Sequence, residues 1–182
     1  MAAAGDIYER ELRSLLSGDR KAITNMIKTC SEGESRSYNL MLDDPFLVIR
    51  AAGSLGVDIV ALRWDYSFPI EVKSSAEDVM HFSRNPRLTE QAAKMKNVCF
   101  KSSLLPVYAF RLKSVRGDPW RIFTIPTENE IKGRNEFLRK LIPKMEVTSN
   151  GNYVMRWGDG MKLCDLLSFM SGDTLLEEIF EE

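Results

Sequence analysis

The sequence of 182 residues contains a single histidine, His81, and this scarcity excludes several kinds of active site. One imidazole cannot supply a histidine-rich metal centre or the histidines of an HNH or HD hydrolase. A serine–histidine–aspartate triad would have to use His81, and no nucleophile-elbow motif accompanies it. We therefore expect His81 to be a polar surface residue in a loop. Any bound metal would then be a hard cation held by carboxylates.

Cysteine is also scarce, and no long apolar run is present. The three cysteines, Cys30, Cys99 and Cys164, form no Cys-x-x-Cys pair. Their odd number and wide spacing argue against a disulfide framework or a structural zinc site. No apolar run approaches the ~18 residues that a membrane span needs, and the first residues lack the apolar stretch of a signal peptide. These absences predict a cytoplasmic protein that does not associate with a membrane.

An overall excess of positive charge, common in DNA-binding domains, is missing as well. Lys and Arg number 25 against 26 Asp and Glu, a net charge of −1. Residues 172–182, however, carry five acidic residues and no basic one, which leaves 25 basic and 21 acidic residues in the rest of the chain. The sequence therefore predicts a mildly basic body, with a net charge of +4, and an acidic C-terminal tail at 172–182.

The hydrophobic pattern predicts one α/β domain spanning residues 1–182. Helical spacing of apolar residues indicates helices, and short runs rich in Val, Ile and Phe indicate strands. The expected helices are 5–17, 20–30, 87–103 (with Thr89 as N-cap), 127–145, and 161–170 together with the tail at 172–182. The expected strands are 45–53, 57–64, 68–74, 106–114, 120–126 and 152–160, and the polar segment 31–39 is expected to be a loop. This order is typical of an α/β sandwich around a mixed sheet.

The residues with the clearest chemical meaning are Asp58, Glu71 and Lys73. Asp58 begins one predicted strand, and Glu71 and Lys73 lie two apart on the next, so their side chains share one face. If the two strands form a hairpin, two carboxylates and an ammonium converge at one end of the sheet. Carboxylates of this kind bind Mg²⁺, which activates water and neutralises a phosphate, while a lysine stabilises developing charge. Glu9, on the first helix, could supply a further carboxylate.

Three segments carry a resemblance to a known family: YEREL at 8–12, RAAGSLGVDIVA at 50–61 and IEVKSS at 70–75. They are similar to the motifs of archaeal Holliday-junction resolvases, nucleases of the PD-(D/E)xK type with a restriction-endonuclease-like fold. The segments WRIFTI at 120–125 and VMRWGDGMKLCDLL at 154–167 are similar to a later strand and the last helix of that family. Relative to it, insertions are expected at about 19–44 and 127–150.

The resemblance implies roles for individual residues. Asp58 and Glu71 would be metal ligands together with the backbone carbonyl of Val72, Lys73 would be the catalytic lysine, and Glu9 an additional acidic catalytic residue and possible ligand. Arg10, Arg50 and Ser54 would contact DNA phosphates or the catalytic loop. The implied cofactor is Mg²⁺, for which Mn²⁺ would substitute, and the implied substrate is branched DNA such as a four-way junction in recombination and repair.

For several other residues we expect a structural role and no part in the chemistry. Gln91 is expected to be an exposed helix residue, although some related nucleases place a glutamine near the metal. Trp64, Trp120 and Trp157 are expected in the core or an interface. A homodimer would match the symmetry of a four-way junction, and the apolar residues of the last helix could build its interface: Leu163, Leu166, Leu167 and Phe169.

The C-terminal tail at 172–182 could bind a partner protein. Leu176, Ile179 and Phe180 have the spacing of the apolar anchors in sliding-clamp-binding peptides, which they resemble. The same residues could instead pack on the body or across a dimer, and the acidic residues could compete with DNA for the basic body.

Two alternatives to a junction resolvase stay open. One is a nuclease of the same type that acts on another DNA structure in repair or defence. The other is a non-catalytic DNA-binding protein that retains the fold, against which the intact set of Asp58, Glu71 and Lys73 argues.

Overall fold

The computed structural model describes residues 4–51 and 55–172. The helices are α1 Ala4–Leu16, α2 Arg20–Met26, α3 Glu32–Asn39, α4 Pro86–Ser102, α5 Asn135–Leu141 and α6 Leu163–Met170. The strands are β1 Leu47–Arg50, β2 Ile59–Leu62, β3 Ser67–Ser75, β4 Val79–His81, β5 Val107–Leu112, β6 Trp120–Thr124, β7 Glu146–Val147, β8 Tyr153–Arg156 and β9 Met161–Lys162. Among these residues, no helix combines the length and apolar character that crossing a membrane requires.

A six-stranded mixed sheet forms the centre of the fold, in the order β1-β2-β3-β5-β6-β9. β1, β2 and β3 form an antiparallel meander. β5 returns parallel to β3 after α4, because a parallel neighbour requires a crossover connection. β6 and β9 then add antiparallel. The predicted mixed sheet flanked by helices is confirmed.

The two faces of the sheet bury separate apolar cores. Ile70 and Val72 of β3 face the core that α1, α2, α3 and α6 complete. On β5, Tyr108 and Phe110 face the opposite core, under α4. Glu71 and Lys73 pair with Tyr108 and Phe110 in the parallel register, so they lie on the α4 face of the sheet. The alternation along β3 therefore separates core residues from the candidate site residues, as the sequence predicts.

A second, three-stranded antiparallel sheet, in the order β4-β8-β7, covers part of the α4 face. Sequence patterning does not predict β4 or β7, which are three and two residues long. His81 belongs to β4 and is half-buried, so the expectation of a loop position for it is wrong. Strands this short follow from tertiary pairing, since they contain too few residues to show a period.

The segment 31–39 is helical, which contradicts the predicted loop. Ser31 caps α3 by accepting a hydrogen bond from the Glu34 N–H, while the Glu34 carboxylate accepts one from the Ser31 N–H. This capping box satisfies two of the free donors at the helix start. Tertiary contacts also stabilise α3, because Tyr38 is buried and Ser37 forms a hydrogen bond with Ser168 of α6 at 2.7 Å.

Two further helix predictions need correction. The N-cap of α4 is Asn85, whose side chain accepts from the Arg87 N–H, and not Thr89. Within 127–145, only Asn135–Leu141 forms an α-helix.

The last helix is a core element, and this overturns the interface predicted for it. Its four apolar residues are at most 7% exposed in the single chain, because α6 packs on α3 and β6: Leu163, Leu166, Leu167 and Phe169.

The expectation for the tryptophans is confirmed for Trp120, which is fully buried, whereas Trp64 is 83% exposed. The three cysteines are free thiols, as expected.

Candidate metal-dependent catalytic site

The β2–β3 hairpin brings Asp58 to the middle of β3. The Asp58 N–H donates to the Ile70 carbonyl at 3.0 Å, which continues the ladder one residue before β2. The Asp58 carboxylate accepts from the Val72 N–H at 2.8 Å. The Asp58 side chain is thereby fixed beside the residue that follows Glu71, close enough for its charge to raise the pKa of Glu71.

Lys73 and Gln91 complete this polar cluster. The Lys73 ammonium donates to Glu71 Oε1 at 2.6 Å and to the Gln91 side-chain oxygen at 3.1 Å. Gln91 lies on α4 and is half-buried, so the prediction of an exposed helix glutamine is wrong. Two acceptors from two different elements restrict the lysine to one orientation. Asp58, Glu71, Lys73 and Gln91 are called the polar cluster below.

Gly56 allows the loop before Asp58 to close on α4. Its φ is +70°, in the left-handed region that glycine adopts without strain. A Cβ at this position would lie 2.4 Å from the Gln91 carbonyl oxygen. Only a glycine therefore permits the contact that holds the Asp58 loop against the helix that supplies Gln91.

The environment of Glu71 disfavours its charged form. The residue is 1% exposed. Burial raises its pKa to about 7; Lys73 opposes this shift, and the charge of Asp58 adds to it. When both carboxylates are ionised, the pair and the single ammonium carry an excess negative charge, which a cation would compensate.

The donors in the polar cluster suit a hard cation. Glu71 Oε2 is buried and has no hydrogen-bond partner, which leaves a lone pair available to a ligand. In residues 4–51 and 55–172, no group of three or more His, Cys, Asp or Glu side chains is placed to hold a metal ion. Two carboxylates, with the Val72 carbonyl still a predicted third ligand, match the few protein ligands and several waters that Mg²⁺ prefers.

Two further predicted site residues, Glu9 and Arg50, meet at the end of β1. Glu9 of α1 and Arg50 of β1 form an ion pair at 3.4 Å, in which the Arg50 side chain is 56% exposed. Arg10 is exposed on α1. Ser54 lies outside the described residues, as does the apolar part of the tail. Glu9 is thus paired with arginine, and its predicted part in metal binding stays a prediction.

The exposed face of α4 adds a line of positive charge beside the polar cluster. Arg87, Lys94 and Lys101 are seven residues apart, so they lie on one stripe of the helix, next to Gln91. Within residues 82–103 there are five basic residues and one acidic residue, Glu90. Arg87, Lys94 and Lys101 are called the basic stripe below.

Comparisons with known proteins add a structural similarity. No family model matches the chain, and no curated protein matches its sequence. Among solved structures, the fold is similar to Hjc, a Holliday junction resolvase from the archaeal hyperthermophile Archaeoglobus fulgidus, with 18% sequence identity and a TM-score of 0.45. The match covers 76% of this chain and 97% of Hjc. At this level of similarity, an assignment of function depends on the site itself.

Proposed function

We propose that this protein is a metal-dependent endonuclease that cleaves DNA by phosphodiester hydrolysis. The observation that carries the proposal is the convergence of Asp58, Glu71 and Lys73 on one buried position, with Glu71 Oε2 left without a partner. A structural protein gains nothing from this arrangement, because unpartnered buried charge costs stability. Ionisable groups whose pKa is strongly perturbed by burial and by a charged partner are instead typical of functional sites.

Each residue of the polar cluster has a role in this chemistry. Mg²⁺, when bound, neutralises the scissile phosphate and lowers the pKa of the attacking water. Asp58 and Glu71 hold the cation, and the Val72 N–H fixes the orientation of Asp58. Lys73, aimed by Glu71 and Gln91, donates to the phosphate or the nucleophile and stabilises the charge that develops there.

The substrate we propose is branched DNA, such as a four-way junction, cut by a homodimer with Mg²⁺ or Mn²⁺. The motifs at 8–12, 50–61 and 70–75 and the basic stripe support this choice. The test is incubation of labelled duplex, flap and four-way DNA with the protein, in Mg²⁺, Mn²⁺ or EDTA. Cleavage of the four-way substrate that requires the cation would support the proposal, and cleavage of flap or duplex DNA alone would favour the other repair or defence nucleases.

The basic stripe predicts how DNA binding depends on salt. Replacing Arg87 and Lys101 with glutamine should weaken DNA binding at low salt and reduce the slope of log affinity against log salt. Each lost phosphate contact should lower that slope by about 0.9 for duplex DNA. Lys96→Gln is the matched control, because Lys96 is exposed on the same helix about 180° from Arg87. Equal salt slopes for the double variant and the control would contradict a role of the stripe in DNA binding.

The acidic tail should compete with DNA for the basic body. The Met170 carbonyl accepts from Arg63 at 2.6 Å, which places the end of α6 beside the residue that follows β2, the strand that Asp58 precedes. Ten extended residues reach up to about 35 Å, and 173–182 contains five acidic residues. Deleting 172–182 should raise DNA affinity at low salt and leave the melting temperature unchanged.

The same deletion separates the other two hypotheses for the tail. A lower melting temperature would mean that the tail packs on the body. Binding of a synthetic 172–182 peptide to a sliding clamp, with unchanged DNA affinity of the shortened protein, would favour the clamp hypothesis.

A further inference from the structure

A second unpartnered polar atom lies beside the polar cluster. In residues 4–51 and 55–172, five buried side-chain oxygens have no hydrogen-bond partner: Glu71 Oε2, Tyr108 Oη, Asn129 Oδ1, Asn135 Oδ1 and Ser171 Oγ. The two asparagines still donate through their amide nitrogens. Glu71 and Tyr108 are directly paired across β3 and β5, so their side chains extend from neighbouring positions on the same face of the sheet.

Packing holds the Tyr108 hydroxyl in this position. The residue is 1% exposed, and its ring packs on Phe82 with 6.0 Å between ring centroids. Phe82 in turn packs on Tyr153 of β8 with 6.1 Å between ring centroids, so the small sheet supports this aromatic group. Burial, followed by the charge of Glu71, raises the pKa of Tyr108, and Asp58 contributes to the same shift. The hydroxyl therefore stays protonated and can act as a hydrogen-bond donor.

Buried hydroxyls without a partner are uncommon, since they lose their bonds to water and gain none in the fold. Glu71 Oε2 and Tyr108 Oη lie on adjacent strands, and a single bound ligand that interacts with both would explain why neither has a partner within the protein. Mg²⁺ binds to proteins with several of its waters retained, and each of those waters needs a hydrogen-bond partner in a buried site.

We propose that the Tyr108 hydroxyl is a positioning group of the cation site, which gains its hydrogen bond only when hydrated Mg²⁺ enters beside Glu71 Oε2. This inference rests on the proposed function, because it assumes that Asp58 and Glu71 bind the cation. Tyr108 holds the hydration shell in place and takes no part in bond making or breaking.

The experiment compares Tyr108→Phe with the wild type in the absence of DNA. Calorimetric titration with Mn²⁺ and with Mg²⁺ should show binding weakened about 5- to 10-fold in Tyr108→Phe, the effect of one neutral hydrogen bond. In EDTA, the melting temperature of Tyr108→Phe should equal or exceed that of the wild type, because the substitution removes an unsatisfied hydroxyl. Saturating Mg²⁺ should then raise it less than in the wild type.

Two control variants make the result specific. Tyr153→Phe removes a hydroxyl from the same aromatic group and should leave cation affinity unchanged. Tyr38→Phe removes a buried hydroxyl that already donates to Asp118 at 2.9 Å, and it should lower the melting temperature even in EDTA.

The failures of the two proposals are distinguishable. If Tyr108→Phe binds both cations as tightly as the wild type and melts lower in EDTA, the hydroxyl has a permanent partner, and the role proposed for Tyr108 is overturned alone. If the wild type binds neither Mn²⁺ nor Mg²⁺, the proposed function falls and this inference with it.

Discussion

Asp58→Asn and Glu71→Gln should each reduce DNA cleavage by at least about 10³-fold while leaving the protein folded. Each substitution removes a negative charge that the site uses to hold its cation, and metal-ion stabilisation of a transition state contributes several kcal/mol. Initial rates on the preferred substrate in Mg²⁺ would measure the loss. Glu77→Gln is the matched control, since Glu77 is an exposed acidic residue just beyond β3. Near wild-type cleavage by either site variant would disprove the assignment.

The same Glu71→Gln variant should be more stable than the wild type in EDTA, and the gain should grow with pH. The folded protein raises the pKa of Glu71 from 4.5 to about 7, so protonation of this residue favours the fold. That contribution is present below about pH 4.5 and is lost as pH rises through about 7. Glutamine does not ionise, so the variant keeps its stability.

Melting curves in EDTA from about pH 5 to about pH 8 would test this expectation. The advantage of Glu71→Gln should approach at most about 3 kcal/mol at the upper end. A constant difference across this range would mean that Glu71 ionises in the fold as it does in the unfolded chain.

Asp118→Ala should be among the most destabilising single substitutions in the chain. Asp118 is 2% exposed, and its carboxylate accepts from the Tyr38 hydroxyl and from the N–H groups of Trp120 and Cys164. Alanine would leave these three donors buried without partners, at roughly 1–3 kcal/mol each. A loss of at least about 3 kcal/mol should lower the melting temperature by roughly 6–12 °C.

The matched control is Asp159→Ala, which removes an exposed aspartate and should change stability by less than about 0.5 kcal/mol. Tyr38→Phe should have an intermediate effect, because it removes one of the three donors and leaves the carboxylate. Equal melting temperatures for Asp118→Ala and Asp159→Ala would show that these hydrogen bonds contribute little.

The longer strands and the convergence of Asp58, Glu71 and Lys73 could be predicted, because both depend on local periodicity. Ile70 and Val72 alternate with Glu71 and Lys73, and this pattern alone separates the core face from the polar one. The hairpin register then follows from a short turn between two apolar runs. The metal, the reaction and the DNA substrate remain predictions, since they depend on ligands outside the chain.

What the sequence could not predict depends on contacts between distant residues. α3 is polar along most of its length, and only the buried Tyr38 and the Ser37–Ser168 hydrogen bond show why it is ordered. The contact between Gln91 and Lys73 requires the β3–α4–β5 crossover to turn one particular face of α4 toward β3. Tyr108 reads as an ordinary strand residue until β5 is paired with β3.

The contact between Gly56 and α4 has a consequence for how mutational tolerance should be interpreted here. A survey of substitutions scored by activity should find position 56 as intolerant as position 58, although glycine has no side chain with which to perform chemistry. A scan scored by abundance should separate the two, because Asp58→Asn preserves the fold, whereas any Cβ at position 56 forces the loop away from the Gln91 carbonyl. Intolerance at Gly56 would therefore reflect the lack of room for a side chain beside α4. If every intolerant position were counted as catalytic, the size of the catalytic centre would be overestimated.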